Sequence, residues 1–409
     1  MSALPESPSI LSFEDARHVV EEQAAGLVPR GKESIDLLDA SGRVLAESLV
    51  ADRDFPPFPR ATRDGYALRS GDLKQVPASL NVVGEIKAGA ENLPAKLNSG
   101  EAAAIMTGAP VPEGADAVVM VEYTSSAGNR VEITRGVTRG ENVVPAGAEA
   151  RRGDGLLQPG IRLDAAAIAI AASIGKAEVE VYLRPRVAVL STGDEVVDIR
   201  RHPGANQIRN SNSYSLAAQI IAAGADPVLL PVAPDESTRL QELISQGLQS
   251  DLLLITGGVS MGKYDLVEQV LAAVRAKFFF TGAQIQPGRP IVFGRVAGKY
   301  FFGLPGNPVS TMVTFELFAK PLIEALGGLG LRKLVFVHAR LKAEIKTKTG
   351  LKRFLPAVLS GEFEKAEVEL VRWQGSGDIA ATARSNCYIV IPPDRERIAA
   401  GEWVPVLMR

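Results

Sequence analysis

The chain has 409 residues, 46% of them hydrophobic and 22% charged, with a formal net charge of -2. That length exceeds one ordinary core and implies about two to four domains, the composition excludes a disordered chain, and the charge lacks the basic excess of a nucleic-acid binder. Cys387 is the only cysteine, and His18, His202 and His338 are scattered singly, so an internal disulfide and a Cys-rich zinc site are excluded and the histidines read as surface or packing residues.

No apolar run is long enough to span a bilayer, and the first residues lack the basic-then-apolar order of a signal peptide; a cytoplasmic setting is expected. The first helix is marked by Ser12 and Asp15 as a capping pair, with Phe13, Ala16, Val20 and Ala24 on one face and a stop at Gly26 and Pro29. A second, weaker helical piece is expected over Ile35–Leu49, interrupted by Gly42. From 51 to 150 short apolar runs (Asn81–Ile86, Ala102–Met106, Ala117–Val121, Arg130–Thr134) alternate with Gly and Pro clusters, as in a β domain. The Ala-rich stretch Asp164–Ile174 returns to helix and is expected to pack beside the first helix. Residues 1–50 and 151–183 would then form one discontinuous helical and extended domain, with the β domain inserted into it.

Residues 184–330 alternate strand and helix. The strands expected are Val187–Leu190, Val228–Val232, Leu252–Thr256 and Tyr300–Leu304; the helices are Ser213–Ala223, Thr238–Gln249, Leu266–Ala276 and Val309–Leu326. This rhythm implies a three-layer α/β domain with a mostly parallel sheet, whose ligands bind at the carboxyl ends of the strands. Residues 331–409 read as a β-barrel-like domain. The fold class is thus multidomain α/β plus β.

Three loops follow those strands. Ser191-Thr192-Gly193-Asp194-Glu195 offers backbone N–H groups to an anion and two carboxylates to a metal or proton, although Gly-Asp is equally an ordinary turn. Thr256-Gly257-Gly258-Val259-Ser260-Met261-Gly262-Lys263-Tyr264-Asp265 runs into a helix and reads as a phosphate cradle, without the Gly-Lys-Ser/Thr ending of a P-loop. Asp265 beside such a cradle makes sense if Mg²⁺ lies between them; the alternative is a helix cap. Leu304-Pro305-Gly306-Asn307-Pro308-Val309-Ser310 is either a third ligand loop or a stiff connector. Arg289 and Arg353 are candidate oxyanion clamps or plain surface charges.

Together with Asp52–Phe58, Asp64-Gly65-Tyr66-Ala67, Met106–Pro112, Gly114-Ala115-Asp116, Gly375-Ser376-Gly377 and Ser385-Asn386-Cys387, these loops resemble the molybdopterin molybdenumtransferase family, known as MoeA and as the gephyrin E domain. The resemblance spans essentially the whole chain. It implies four domains, a homodimer, and insertion of molybdate into adenylylated molybdopterin with release of AMP. It also admits docking of an adenylyltransferase of the same pathway. Catalytic roles are implied for Asp64, Glu195, Asp235 and Asp265, with Asp235, Asp265 and Ser260 reaching Mg²⁺. Substrate contacts are implied for Thr107, Ser191, Thr192, Gly193, Gly257, Gly258, Ser260, Pro305, Gly306, Asn307 and Pro308. A molybdate pocket is implied at Arg289, Pro290, Ser310, Arg353 and Ser376.

The chain departs from the family pattern in three places. Arg60-Ala61-Thr62-Arg63 adds positive charge, Glu149 stands where Asp is common, and Gln286 replaces a lysine beside the molybdate pocket. Two other functions stay open on the sequence: a nucleotide pyrophosphatase using only the α/β domain, and a non-catalytic pterin-binding scaffold.

Overall fold

The computed structural model describes residues 10–90, 96–258 and 266–409, and the chain divides into two units. One comprises the N-terminal residues through Ala46, Pro159–Leu163 and Glu180–Arg409; the other comprises Glu47–Gln158 and Asp164–Val179.

Helix α1 (Phe13–Ala25) begins where the Ser12 hydroxyl accepts the N–H of Asp15 at 3.0 Å, as the sequence predicts. Its apolar stripe Phe13, Ala16, Val20 and Ala24 joins a core with Phe318, Leu322 and Ile323. These four side chains are buried in the α/β core. The expected helix over Ile35–Leu49 is corrected. Lys32–Asp36 is a strand and Leu37–Ala40 a single 3₁₀ turn, capped by Asp36 on the Leu38 N–H. A side chain competing for backbone donors and Gly42 at φ +77° leave no room for a helix.

In the second unit, β1 (Gly65–Leu68), β2 (Ala78–Ile86), β3 (Glu101–Ile105), β4 (Ala117–Met120), β5 (Thr124–Ala127) and β6 (Arg130–Ile133) form one six-stranded sheet, order β4-β1-β3-β2-β6-β5. Alternate residues feed two cores: Ala67, Ala103 and Val118 enter one, Leu68, Ala102 and Val119 the other. Helix α2 (Ala165–Ser173) starts at Asp164, whose carboxylate accepts the Ala167 N–H at 2.9 Å.

The first unit continues with β7 (Arg186–Ser191), α3 (Asn212–Ala222), β8 (Asp226–Leu229), α4 (Ser237–Gly247), β9 (Leu252–Thr256), α5 (Leu266–Ala273), β10 (Lys277–Phe280), β11 (Ile285–Gln286), β12 (Val292–Val296) and β13 (Lys299–Leu304). The sheet order is β8-β7-β9-β13-β12-β10. β8, β7, β9 and β13 run parallel, while β12 and β10 are antiparallel additions that the sequence reading missed, so the sheet is mixed. The parallel strands are buried and feed two cores alternately. Val187, Val189, Leu252 and Leu254 meet residues of α1 and α3, whereas Ala188, Leu190, Leu253 and Ile255 meet those of α4 and α5.

The last helix is not continuous. α6 (Pro308–Thr314) and α7 (Lys320–Leu326) flank a π turn at Phe315–Ala319. Pro321 has no N–H to give the carbonyl of Leu317, which lies four residues back, and its ring crowds that carbonyl. The buried Arg17 guanidinium donates to the Leu317 carbonyl instead.

At the C-terminus, β14 (Phe336–Leu341), β15 (Lys352–Ser360), β16 (Glu367–Leu370), the short α8 (Ile379–Ala383), β17 (Cys387–Ile391) and β18 (Trp403–Met408) follow. The ladder β15-β16-β14-β18-β17 closes on β15, giving a five-stranded barrel. β11 adds to it in parallel, with Gln286 opposite Arg353. Among the described residues no helix is long and apolar enough to cross a membrane.

Candidate active site

The carboxyl ends of β7, β9 and β13 lie side by side, with Ser191 paired to Thr256 and Thr256 to Leu304. The three loops singled out in the sequence therefore leave the sheet at one place. They border a cavity of about 660 Å³ lined by Ser191, Thr192, Glu195, Gly257, Gly258, Pro305, Gly306, Asn307 and Pro308. Gly257 (φ +88°) has a close-approach requirement, since a Cβ there would lie 2.5 Å from the Thr192 carbonyl oxygen. Ser260 and Asp265 lie outside the described residues.

Asn212, which sequence reasoning passed over, organises this cavity. Its Nδ2 donates to Thr256 Oγ1 (3.0 Å) and to the Gly306 carbonyl (2.8 Å), tying helix α3 to two of the loops. Asn212 Oδ1 and Thr192 Oγ1 are buried with no hydrogen-bond partner among the described residues. A buried orphan polar atom costs free energy unless a ligand or water meets it. The only sequence signal was its position at the start of a helix. Behind it, Ser191, Asn210 and Ser213 form a closed buried network (Ser191 Oγ to Ser213 Oγ, 2.8 Å; Asn210 Nδ2 to Ser213 Oγ, 3.0 Å).

On the other side of Val196 and Asn210 is a cavity of about 830 Å³ that includes Gly193 and Asp194. Gly193 thus turns away from the loop convergence, at φ +126°. The smaller space is the better candidate site, because all three loops and the orphan atoms converge on it.

The exposed Asp235 N–H donates to Asp194 Oδ1 at 3.1 Å. Partial burial, then the nearby Asp194 and Glu195 charges, push the Asp235 carboxyl above its ordinary range. Among the described residues no three acidic, His or Cys side chains are grouped closely enough to cage a metal. The Asp235 carboxylate is an oxygen donor of the kind that Mg²⁺ takes, with water and a substrate phosphate commonly completing its shell.

A second cavity, about 360 Å³, adjoins the first. Arg289, Pro290, Pro305 and Asn307 line both. Gln286, Ser310, Trp373 and Ser376 belong to the smaller one. The Ser376 carbonyl accepts the Val309 N–H at 3.0 Å, fixing that segment to the start of α6. The exposed Arg289 guanidinium has no ion-pair or hydrogen-bond partner among the described residues. Arg353 is buried on β15; its Nη2 donates to the Lys348 carbonyl at 2.8 Å, and it does not line the cavity, although Gln286 beside it does. Burial pushes its guanidinium below the ordinary value.

In the second unit, Asp64 Oδ1 accepts both the Thr107 N–H (2.6 Å) and the Thr107 hydroxyl (2.7 Å). These donors, the backbone one foremost, hold the Asp64 carboxyl below the usual range. Asp64, Gly65, Met106 and Val121 line a shallow cavity of about 200 Å³. Two of the unusual residues meet here as well: Arg60 Nη2 lies 2.8 Å from Glu149 Oε1, so the added cation has its own carboxylate.

Comparison with known proteins agrees along the chain. Residues 11–175 match the MoeA N-terminal region (domain I and II), 188–325 a probable molybdopterin binding domain, and 338–408 the MoeA C-terminal region (domain IV). The molybdopterin molybdenumtransferase of Nostoc sp. is 38% identical over 389 residues, covering 92% of this chain and 88% of that protein. Its counterpart from Haemophilus influenzae is 33% identical, covering 97% and 98%. The crystal structure of the molybdopterin biosynthesis moeA protein from Pyrococcus horikoshii OT3 superposes with a TM-score of 0.80 at 29% identity, covering 98% of this chain and 100% of that one. With three consecutive family regions matched and the strand-end loops converging as described, the chain belongs to the molybdopterin molybdenumtransferase family.

Proposed function

We propose that this chain inserts molybdate into adenylylated molybdopterin and releases AMP, yielding molybdenum cofactor. The observation that carries the reading is the pair of adjoining cavities with the Arg289 guanidinium, unpartnered among the described residues, on their shared wall. The larger, with its Gly-rich loop and orphan polar atoms, suits a heterocycle bearing a phosphoanhydride. The smaller, with a guanidinium, an amide and two serines, suits a tetrahedral oxyanion.

Cleavage of the anhydride adds one water across a P–O bond, leaving AMP and the pterin phosphate. Glu195 lines this site and Asp235 lies near enough to feel its charge; in this reading one of the two carboxylates takes the proton of the attacking water. Mg²⁺, held by Asp235 with Asp265 and Ser260, would offset charge on the pyrophosphate. Arg289 binds the oxyanion next to the substrate, with Ser310 and Ser376 as hydroxyl donors. Proximity then replaces a bimolecular encounter with a positioned one: two Mo–S bonds form to the dithiol sulfurs, and one molybdate oxygen leaves as water with the two thiol protons, the metal keeping its oxidation state. Asp64, kept ionised by Thr107, acts on the substrate as a further carboxylate. A homodimer, a cytoplasmic setting and an adenylyltransferase partner belong to the same proposal.

The test is AMP release by the purified chain from adenylylated molybdopterin and Mg²⁺, with and without molybdate. Release that depends on molybdate is expected. Equal release without any oxyanion would overturn the insertion reading and favour a simple pyrophosphatase.

A further inference from the structure

Trp373 has no role in anything stated so far. It lines the smaller cavity with Gln286, Arg289, Ser310 and Ser376. It is half-buried and packs against two hydrophobic cores, that of the α/β sheet and that of the barrel, so its ring is braced from two sides. The segment after it is held as well: the Gln374 N–H donates to Asp378 Oδ2 at 3.0 Å, and the Asp378 carboxylate also caps α8. Yet the Trp373 indole N–H has no hydrogen-bond partner among the described residues.

A tryptophan this well packed usually finds an acceptor for its N–H. The groups around the cavity are mostly donors: a guanidinium, a carboxamide N–H₂ and two hydroxyls. A tetrahedral dianion only accepts, so the guanidinium, the carboxamide N–H₂, the hydroxyls and the indole N–H can all turn their donors to it. Because two cores brace it, the indole is a fixed wall that limits the size of the cavity, and its positive edge attracts an anion where its π face repels one.

We propose that Trp373 is an oxyanion-binding and size-selecting residue that donates its indole N–H to the anion in this cavity. The inference rests on the reading of the cavity as the oxyanion site.

Trp373 and Trp403 are the only tryptophans, and Trp403 lies 53% exposed beneath Arg340 on the barrel, apart from the cavity lining. Trp403→Phe therefore leaves Trp373 as the sole indole reporter without touching the site. Titrating this variant with sodium molybdate at fixed ionic strength should give a saturable change in emission, absent when Arg289→Ala is added. In a second experiment, Trp373→Phe keeps an aromatic side chain, smaller than the indole, and removes the donor. It should raise KM for molybdate about tenfold, as loss of a hydrogen bond to a charged group does, with kcat within about twofold. The ratio of tungstate to molybdate use should change with it, which a purely packing role would not produce.

A silent titration while equilibrium dialysis still shows molybdate binding that Arg289→Ala weakens would overturn the assignment of Trp373 and leave the cavity reading standing. Molybdate binding untouched by both Arg289→Ala and Ser376→Ala would overturn the cavity reading, and this inference with it.

Discussion

Asp64 and Asp235 are both exposed aspartates in loops, and their surroundings push them in opposite directions. Asp64 is met by two donors from Thr107, so its charge is stabilised by the protein itself. Asp235 is met by Asp194 and Glu195, so its charge is opposed by the protein. The surroundings of the first carboxylate favour its anion, and those of the second oppose it. The local partners alone set the two aspartates apart, since donors beside Asp64 favour its charge and acids beside Asp235 oppose it.

The largest expected effect separates the two by charge. Asp235→Asn removes an oxygen ligand and should lower Mg²⁺ affinity, and AMP release at limiting Mg²⁺, by at least the about 10–100-fold that loss of a supporting group costs a metal site. Unchanged Mg²⁺ dependence in a magnesium titration would remove Asp235 from the metal set. Next in size, Gly65→Ala attacks the frame that carries Asp64. A Cβ at residue 65 would meet the Val119 carbonyl oxygen at 1.8 Å, so β1 and β4 must part. A cost of about 1–3 kcal/mol is expected, read as a lower denaturation midpoint for the second unit; a variant as stable as the parent would show that the pairing yields easily.

The smallest effect is a shift in pH profile. Because the Asp64 pKa is depressed, its anion survives as pH falls until that lowered value is passed. Thr107→Val deletes the hydroxyl donor but keeps the backbone one, so the pKa moves back up and the acid limb of AMP release should begin at higher pH. An unmoved limb would mean that another group sets it.

Much of this was legible in the residues. Ser12 with Asp15, Asp164, and the apolar runs at 187, 252 and 300 act through local rules, capping and continuous apolar runs that read as strands buried on both faces, and the structure follows them. The misses are tertiary. Lys277–Phe280 and Val292–Val296 are short runs whose strand character comes from pairing with each other and with β13. Ile35–Leu49 has helix-like composition overridden by a capping aspartate and a glycine. At the site, glycine and acid spacing pointed to the loops. Asn212 was invisible because its importance lies in two hydrogen bonds to residues 44 and 94 positions away. Trp373 was invisible because a lone tryptophan reads as core until its neighbours are known.

The two-residue ladder between β11 and β15 bears on modularity. It joins the loop carrying Gln286 and Arg289 to the barrel by backbone hydrogen bonds, and the barrel side supplies Leu351, Trp373, Gly375 and Ser376 to the same small cavity. The barrel is therefore not an accessory that recombination could trim away. A chain ending after α7 would keep the sheet and its strand-end loops but lose four of the thirteen residues that wall the small cavity, so truncation should impair that compartment while sparing the larger one.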